Sequence, residues 1–196
     1  MVRLREKISR NFENVKLWGR NAKVLMFTEV LWGVPMSWVF FYQVIFMRSL
    51  GLSEVFIGFS TMLPLIFQIF LPMLGGYLAD KFGRKRVLML FDSIGWIGTM
   101  SLWFVAIEPL QIIVAMLFQG LVSTIYGVWE TLLVEDTEPP HRVSIYSFTQ
   151  IIFVFGGLLT PIAGVLVSFF GVKQGCRFMF LIALATIAIM LVIRQM

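Results

Sequence analysis

Apolar residues run almost without interruption through six stretches of this chain, at 24–47, 54–79, 87–107, 110–134, 143–170 and 178–193. Runs of this kind are long enough to cross a bilayer as helices. The polar breaks between them are short: 48–53, 81–86, 108–109, 135–142 and 171–177. Short connectors make neighbouring helices antiparallel and leave no room for a soluble domain. The pattern therefore predicts an all-α integral membrane protein, with a basic segment over 1–23 ahead of a six-helix transmembrane bundle over 24–196.

Composition sharpens that picture. The chain is 59% hydrophobic and 14% charged, with mean hydropathy +0.88, against roughly 45–50% and 25% in soluble domains. Its net charge of +5 is clustered. Arg3, Arg5, Lys7, Arg10, Lys16, Arg20 and Lys23 precede the first span, and Lys81, Arg84, Lys85 and Arg86 crowd one turn. With the N-terminus inside, Arg142 and Arg194 join them on the cytoplasmic side, and only Arg48, Lys173 and Arg177 face outward. That asymmetry orients a membrane protein, with both termini in the cytoplasm. Such clustering argues against a nucleic-acid partner and for membrane lipid.

The basic segment has no apolar core run of the signal-peptide kind. Leu4, Ile8, Phe12 and Val15 fall near helical spacing among its charges. It reads either as an amphipathic helix on the inner leaflet or as a solvated tail that fixes topology.

Enzymatic chemistry finds few candidates. The single cysteine, Cys176, gives no disulfide or metal framework. The single histidine, His141, lies in a polar turn, so an intramembrane Ser-His pair has no base. No phosphate-cradling G-x-x-x-x-G-K-[ST] loop is present. Neither an enzyme, nor a catalytic residue, nor a cofactor is expected.

The stretch Gly75-Gly-Tyr-Leu-Ala-Asp-Lys-Phe-Gly-Arg-Lys-Arg86 is the most informative turn. Gly76 would let another helix approach closely, and Gly83 supplies a backbone position free of Cβ strain. Asp80 is placed to meet a cation or a helix N-terminus. The spacing G-x-L-A-D-x-x-G-R-K resembles the loop between helices 2 and 3 of the major facilitator superfamily of secondary transporters. The resemblance covers all six spans and implies the N-terminal half of that fold. It further implies a cytoplasmic charge network of Asp80, Arg84 and either Glu135 or Asp136, acting as a latch that favours one access state. Topological anchoring is the alternative role.

Gly156-Gly-Leu-Leu-Thr160-Pro161-Ile-Ala-Gly164 is similar to the G-x-x-x-G-P-x-x-G-G motif of antiporter branches, departing from it at Thr160 and Val165. Close helix packing through Gly156, Thr160 and Gly164, with a bend at Pro161, is expected on physical grounds alone. Gln119-Gly120 matches part of a fourth-helix motif, R-x-x-Q-G, of proton-coupled members, but Met116 stands at the arginine position.

Glu29, Asp92 and Glu130 lie inside predicted spans, about five or six residues from the cytoplasmic ends, or roughly 7–9 Å deep. Ionisable groups at such depth face a cavity or a partner. They read either as a protonatable coupling cluster or as acids satisfied near the interface by Lys23, Arg84 or Arg86. Asp92 fits the second reading better, because third helices are peripheral in the resembled fold. Nearer the midplane, Trp38, Tyr42, Gln43, Gln119, Ser123, Thr124, Tyr126 and Gln150 form a mixed aromatic and polar set suited to a moderately apolar or amphipathic solute. Glu29, Trp38, Tyr42, Gln119, Tyr126 and Glu130 are the candidate coupling and substrate residues.

The expected function is alternating-access transport of a small solute across the plasma membrane, with efflux the expected direction. A C-terminal six-helix half would be supplied by the same gene, a split gene or a second copy. The competing expectation is a non-transporting scaffold or remnant half-bundle that associates with a partner.

Overall fold

The computed structural model describes residues 15–195. The greater part of the basic segment, and with it the surface-helix reading, lies outside the described residues. Among those described, the chain is helical: α1 (Arg20–Ser49), α2 (Glu54–Phe82), α3 (Arg84–Val105), α4 (Pro109–Val134), α5 (Pro139–Leu158) and α6 (Thr160–Gln195).

Local sequence sets the boundaries. Ser53 caps α2 by accepting from the Phe56 amide at 3.3 Å. Gly83 ends α2 at φ 93°, ψ 134°, a conformation that favours glycine. Pro109 opens α4 while Gln111 Oε1 accepts the Glu108 amide at 3.0 Å. Pro139 and Pro140 open α5, where missing amides cost nothing.

Five helical stretches, rather than six separate ones, are long and apolar enough to cross a membrane. The last, Pro139–Gln195, spans 57 residues. It breaks briefly at Leu159, beside Thr160 and Pro161, and Gly171 within it is non-helical at φ 73°, ψ 166°. The chain reverses at Gly171. A Cβ at Gly175 would lie 2.9 Å from the Cα of Val167, an approach that a continuous helix does not permit. The polar stretch expected to form a connector over 171–177 is thus helical from 172 onward, because one glycine suffices for the turn.

All six helices contribute to the core, and three of them meet at its largest buried rings. Phe46 of α1, Trp103 of α3 and Phe180 of α6 are fully buried, with Phe46 and Phe180 meeting edge-to-face at 5.2 Å. Around them α1 and α5 touch backbone to backbone, since a Cβ on Gly156 would lie 2.9 Å from the Gly33 carbonyl oxygen. Gly164 faces the Tyr42 hydroxyl, 3.2 Å from where a Cβ would stand. By contrast α2 presents Phe59, Leu65, Ile69, Phe70 and Met73 outward.

Candidate functional site

The three helices that meet at those rings carry charge at their other end. Arg194 of α6 donates from Nη2 to Glu29 Oε2 of α1 at 2.7 Å and from Nη1 to Asp92 Oδ2 of α3 at 3.0 Å. Its Nε donates to Thr28 Oγ1 at 2.9 Å. All three charged residues are buried, at 5%, 6% and 4% exposure respectively. One planar guanidinium thus reaches two helices at once through all three of its nitrogens, a fixed fork that an ammonium lacks.

This triad floors a cavity of about 250 Å³. Trp32, Trp96, Tyr126, Trp129 and Phe153 wall it, and Glu130 opens onto it. Glu130 is exposed and makes no ion pair or side-chain hydrogen bond among the described residues. Two irregular turns shape the walls. A π-helical turn over Ser93–Ile97 follows Asp92 and carries Trp96, and a 3-10 turn over Val122–Ile125 interrupts α4 just before Tyr126. Such turns recur at functional sites, because they re-aim side chains that a regular helix would stack. Arg194 also borders a second space of about 120 Å³, lined by Arg20, Asn21 and Lys85. It therefore partitions an acidic, aromatic chamber from a basic one.

The structure separates the residues singled out in the sequence. Glu29, Tyr126 and Glu130 share the chamber; Trp38, Tyr42 and Gln119 do not line it. Tyr42 packs against Phe41, with ring centroids 5.1 Å apart, and reaches toward Gly164. Trp38 Nε1 is buried without a hydrogen-bond partner among the described residues. The partner of Glu29 and Asp92 is Arg194, not Lys23, Arg84 or Arg86, since α6 returns its last turns between α1 and α3. Asp92, expected to be satisfied by a partner on a peripheral helix, is buried and paired with Arg194.

At the adjoining end, Arg84 Nη1 pairs with Glu135 Oε2 at 2.6 Å. Asp136 does something else: its Oδ2 accepts the Asn21 amide at 2.8 Å, satisfying an orphan donor in the first turn of α1. A carboxylate there also complements the helix dipole. Asp80 is exposed and joins no ion pair or side-chain hydrogen bond among the described residues. The close approach expected at Gly76 belongs to its neighbour. A Cβ on Gly75 would collide with the Thr124 carbonyl in the 3-10 turn of α4, whereas Gly76 faces open space.

Arg194, Trp32, Trp96, Trp129 and Phe153 were missed as site residues, and Asp92, weighed as a cluster member, was left out of the candidate set. The available signal was stoichiometric, because several acids at bilayer depth require a cation, and Arg194 adjoins the last apolar run.

A family model for the Major Facilitator Superfamily matches residues 20–195, the whole of this bundle. The chain belongs to the major facilitator superfamily. Members of that family are membrane transporters, and this chain carries several apolar helices of membrane length. It is also similar to a Na(+), Li(+), K(+)/H(+) antiporter of Planococcus maritimus, at 26% identity over 188 residues. That alignment covers 90% of this chain and 42% of the relative, so the chain spans less than half the length of the curated relative it matches.

Proposed function

We propose that this chain forms the N-terminal six-helix half of an alternating-access transporter that exchanges a small, moderately apolar or amphipathic solute for protons. The observation that carries the reading is the Glu29–Arg194–Asp92 triad flooring a chamber that also holds the unpaired Glu130. Two carboxylates compete for one guanidinium, so protonating either still leaves the other paired. That is what a coupling site requires, because a proton can enter without stranding a buried charge.

Six crossings follow if the reversal at Gly171 separates the last two. Both termini are then cytoplasmic, in the plasma membrane, with efflux as the working direction. Arg84 and Glu135 would hold the cytoplasmic side in one access state. The second six-helix half would come from the same gene, a split gene or another copy. The similarity to a cation/proton antiporter supports proton exchange as the coupling mode.

The test is dye-reported pH-gradient dissipation in everted vesicles from cells expressing the chain, with and without a second half. Neutral amphiphiles, cationic amphiphiles and alkali cations would each be added. A chain-dependent response that Glu29→Gln abolishes supports the proposal. Silence across all three classes with both halves present would move the function to a non-transporting scaffold.

A further inference from the structure

The charge and the walls of the chamber together specify what it holds. It is lined by three carboxylates, Glu29, Asp92 and Glu130, and by one guanidinium, Arg194. Arg194 is already engaged by Glu29 and Asp92, so Glu130 faces the cavity without a protein counter-charge among the described residues. An anion would meet repulsion there. A neutral occupant would leave the Glu130 carboxylate without a counter-charge.

The walls favour one kind of cation. Trp32 meets Trp96 at 5.4 Å and Phe153 at 6.0 Å, both edge-to-face, and Trp129 and Tyr126 add further rings. Aromatic faces attract cations through their quadrupole, most strongly when water is excluded. Bare metal cations instead demand a shell of oxygen ligands. Glu29 and Asp92 each give one oxygen to Arg194, so the lining offers a few carboxylate oxygens and the Tyr126 hydroxyl among many rings, too few for a full oxygen shell. The cavity volume, about 250 Å³, suits a compact molecule.

We propose that the chamber binds a monovalent organic cation with an apolar or aromatic body, with Glu130 as its counter-charge and Trp32, Trp96 and Trp129 as its walls. The proposal rests on the transporter reading but narrows it, and it differs from the alkali cations in the name of the similar antiporter. Equilibrium binding tests it without requiring transport, so either idea can fail alone.

The full chain in lipid nanodiscs would be titrated with phenyltrimethylammonium, with its neutral isostere tert-butylbenzene and with potassium, following tryptophan fluorescence. Saturable phenyltrimethylammonium binding is expected, with tert-butylbenzene weaker by about tenfold or more and potassium unable to displace the probe. Glu130→Gln should weaken probe binding by a similar factor, about tenfold. Glu138→Gln, a neutralisation at an exposed position ahead of α5, should leave it unchanged. Trp129→Leu gives a second reading should Glu130→Gln fail to fold. Absence of saturable binding, equal binding of the neutral isostere, displacement by potassium at comparable concentration, or a folded Glu130→Gln that binds like the parent would each overturn the proposal.

Discussion

Glu29 and Arg194 are 165 residues apart in sequence and 2.7 Å apart in space. Their contact, extended to Asp92, ties α1, α3 and α6 together at one end, while Phe46, Trp103 and Phe180 tie the same helices at the other. The two ties differ in kind. The aromatic one carries no ionisable group, whereas the ionic one gathers two carboxylates on one guanidinium.

Removing Arg194 should therefore be the most damaging single change in the bundle. Arg194→Ala leaves two buried carboxylates unpaired, and breaking a buried ion pair costs about 3–5 kcal/mol. Arg194→Lys should recover only part, because an ammonium cannot span both acids in the guanidinium's planar geometry. The triple neutral variant Glu29→Gln, Asp92→Asn, Arg194→Gln should be more stable than Arg194→Ala. Thermal unfolding of the detergent-solubilised chain, followed by size-exclusion chromatography, measures all three. An Arg194→Ala protein as stable as its parent would contradict the triad.

Adjacent glycines should behave oppositely. Gly75 lies against the Thr124 carbonyl with no room for a Cβ, while Gly76 faces open space. Gly75→Ala must push α2 away from the 3-10 turn of α4, and overpacking of this kind costs about 1–3 kcal/mol. Gly76→Ala should be neutral or stabilise by up to about 1 kcal/mol, because an unhindered helical glycine gives way to a better helix former. The same unfolding measurement ranks them, and the reverse order would mean that α2 is rotated relative to α4.

What the sequence made legible follows from how local each feature is. Hydropathy located the membrane-length helices, and the positive φ of Gly83 was readable because that glycine sits in a short basic break between two apolar runs. The choice between Gly75 and Gly76 was not readable, since it depends on which face of α2 meets α4. Arg194 was hidden for a related reason. Its position after the last apolar run suits an interfacial anchor, and only the return of α6 between α1 and α3 buries it. Trp32, Trp96 and Trp129 looked like any of the chain's aromatic residues until the π-helical and 3-10 turns gathered them around one space.

Gly83 offers a backbone test independent of packing. Its φ of 93° falls where side-chain-bearing residues rarely go, yet a Cβ there would meet no neighbour. Gly83→Ala should thus cost about 1–3 kcal/mol through conformational strain alone. The strain lies at the start of α3, so hydrogen exchange should rise first in the amides of residues 84–87. Unchanged exchange in that turn, together with unchanged stability, would show that the turn has a second conformation open to alanine.

The pair between Arg84 and Glu135 separates stability from gating. Both side chains are partly exposed, at 42% and 31%, and surface ion pairs contribute about 0–1 kcal/mol to folding. Arg84→Ala or Glu135→Ala should thus barely move the unfolding temperature. As a latch, however, the same small energy biases an equilibrium between access states, where 1.4 kcal/mol is a factor of about ten. Each single variant should raise the rate at which a thiol reagent labels a cysteine placed at Trp129, assayed with the second half present. The swap Arg84→Glu with Glu135→Arg should return labelling toward the parent rate, and high salt should mimic the single variants by screening the exposed pair. Asp80→Asn should change nothing, because Asp80 stands outside the pair. Labelling that responds to Asp80→Asn but not to Arg84→Ala would move the latch to a contact that Asp80 makes with another part of the assembled transporter.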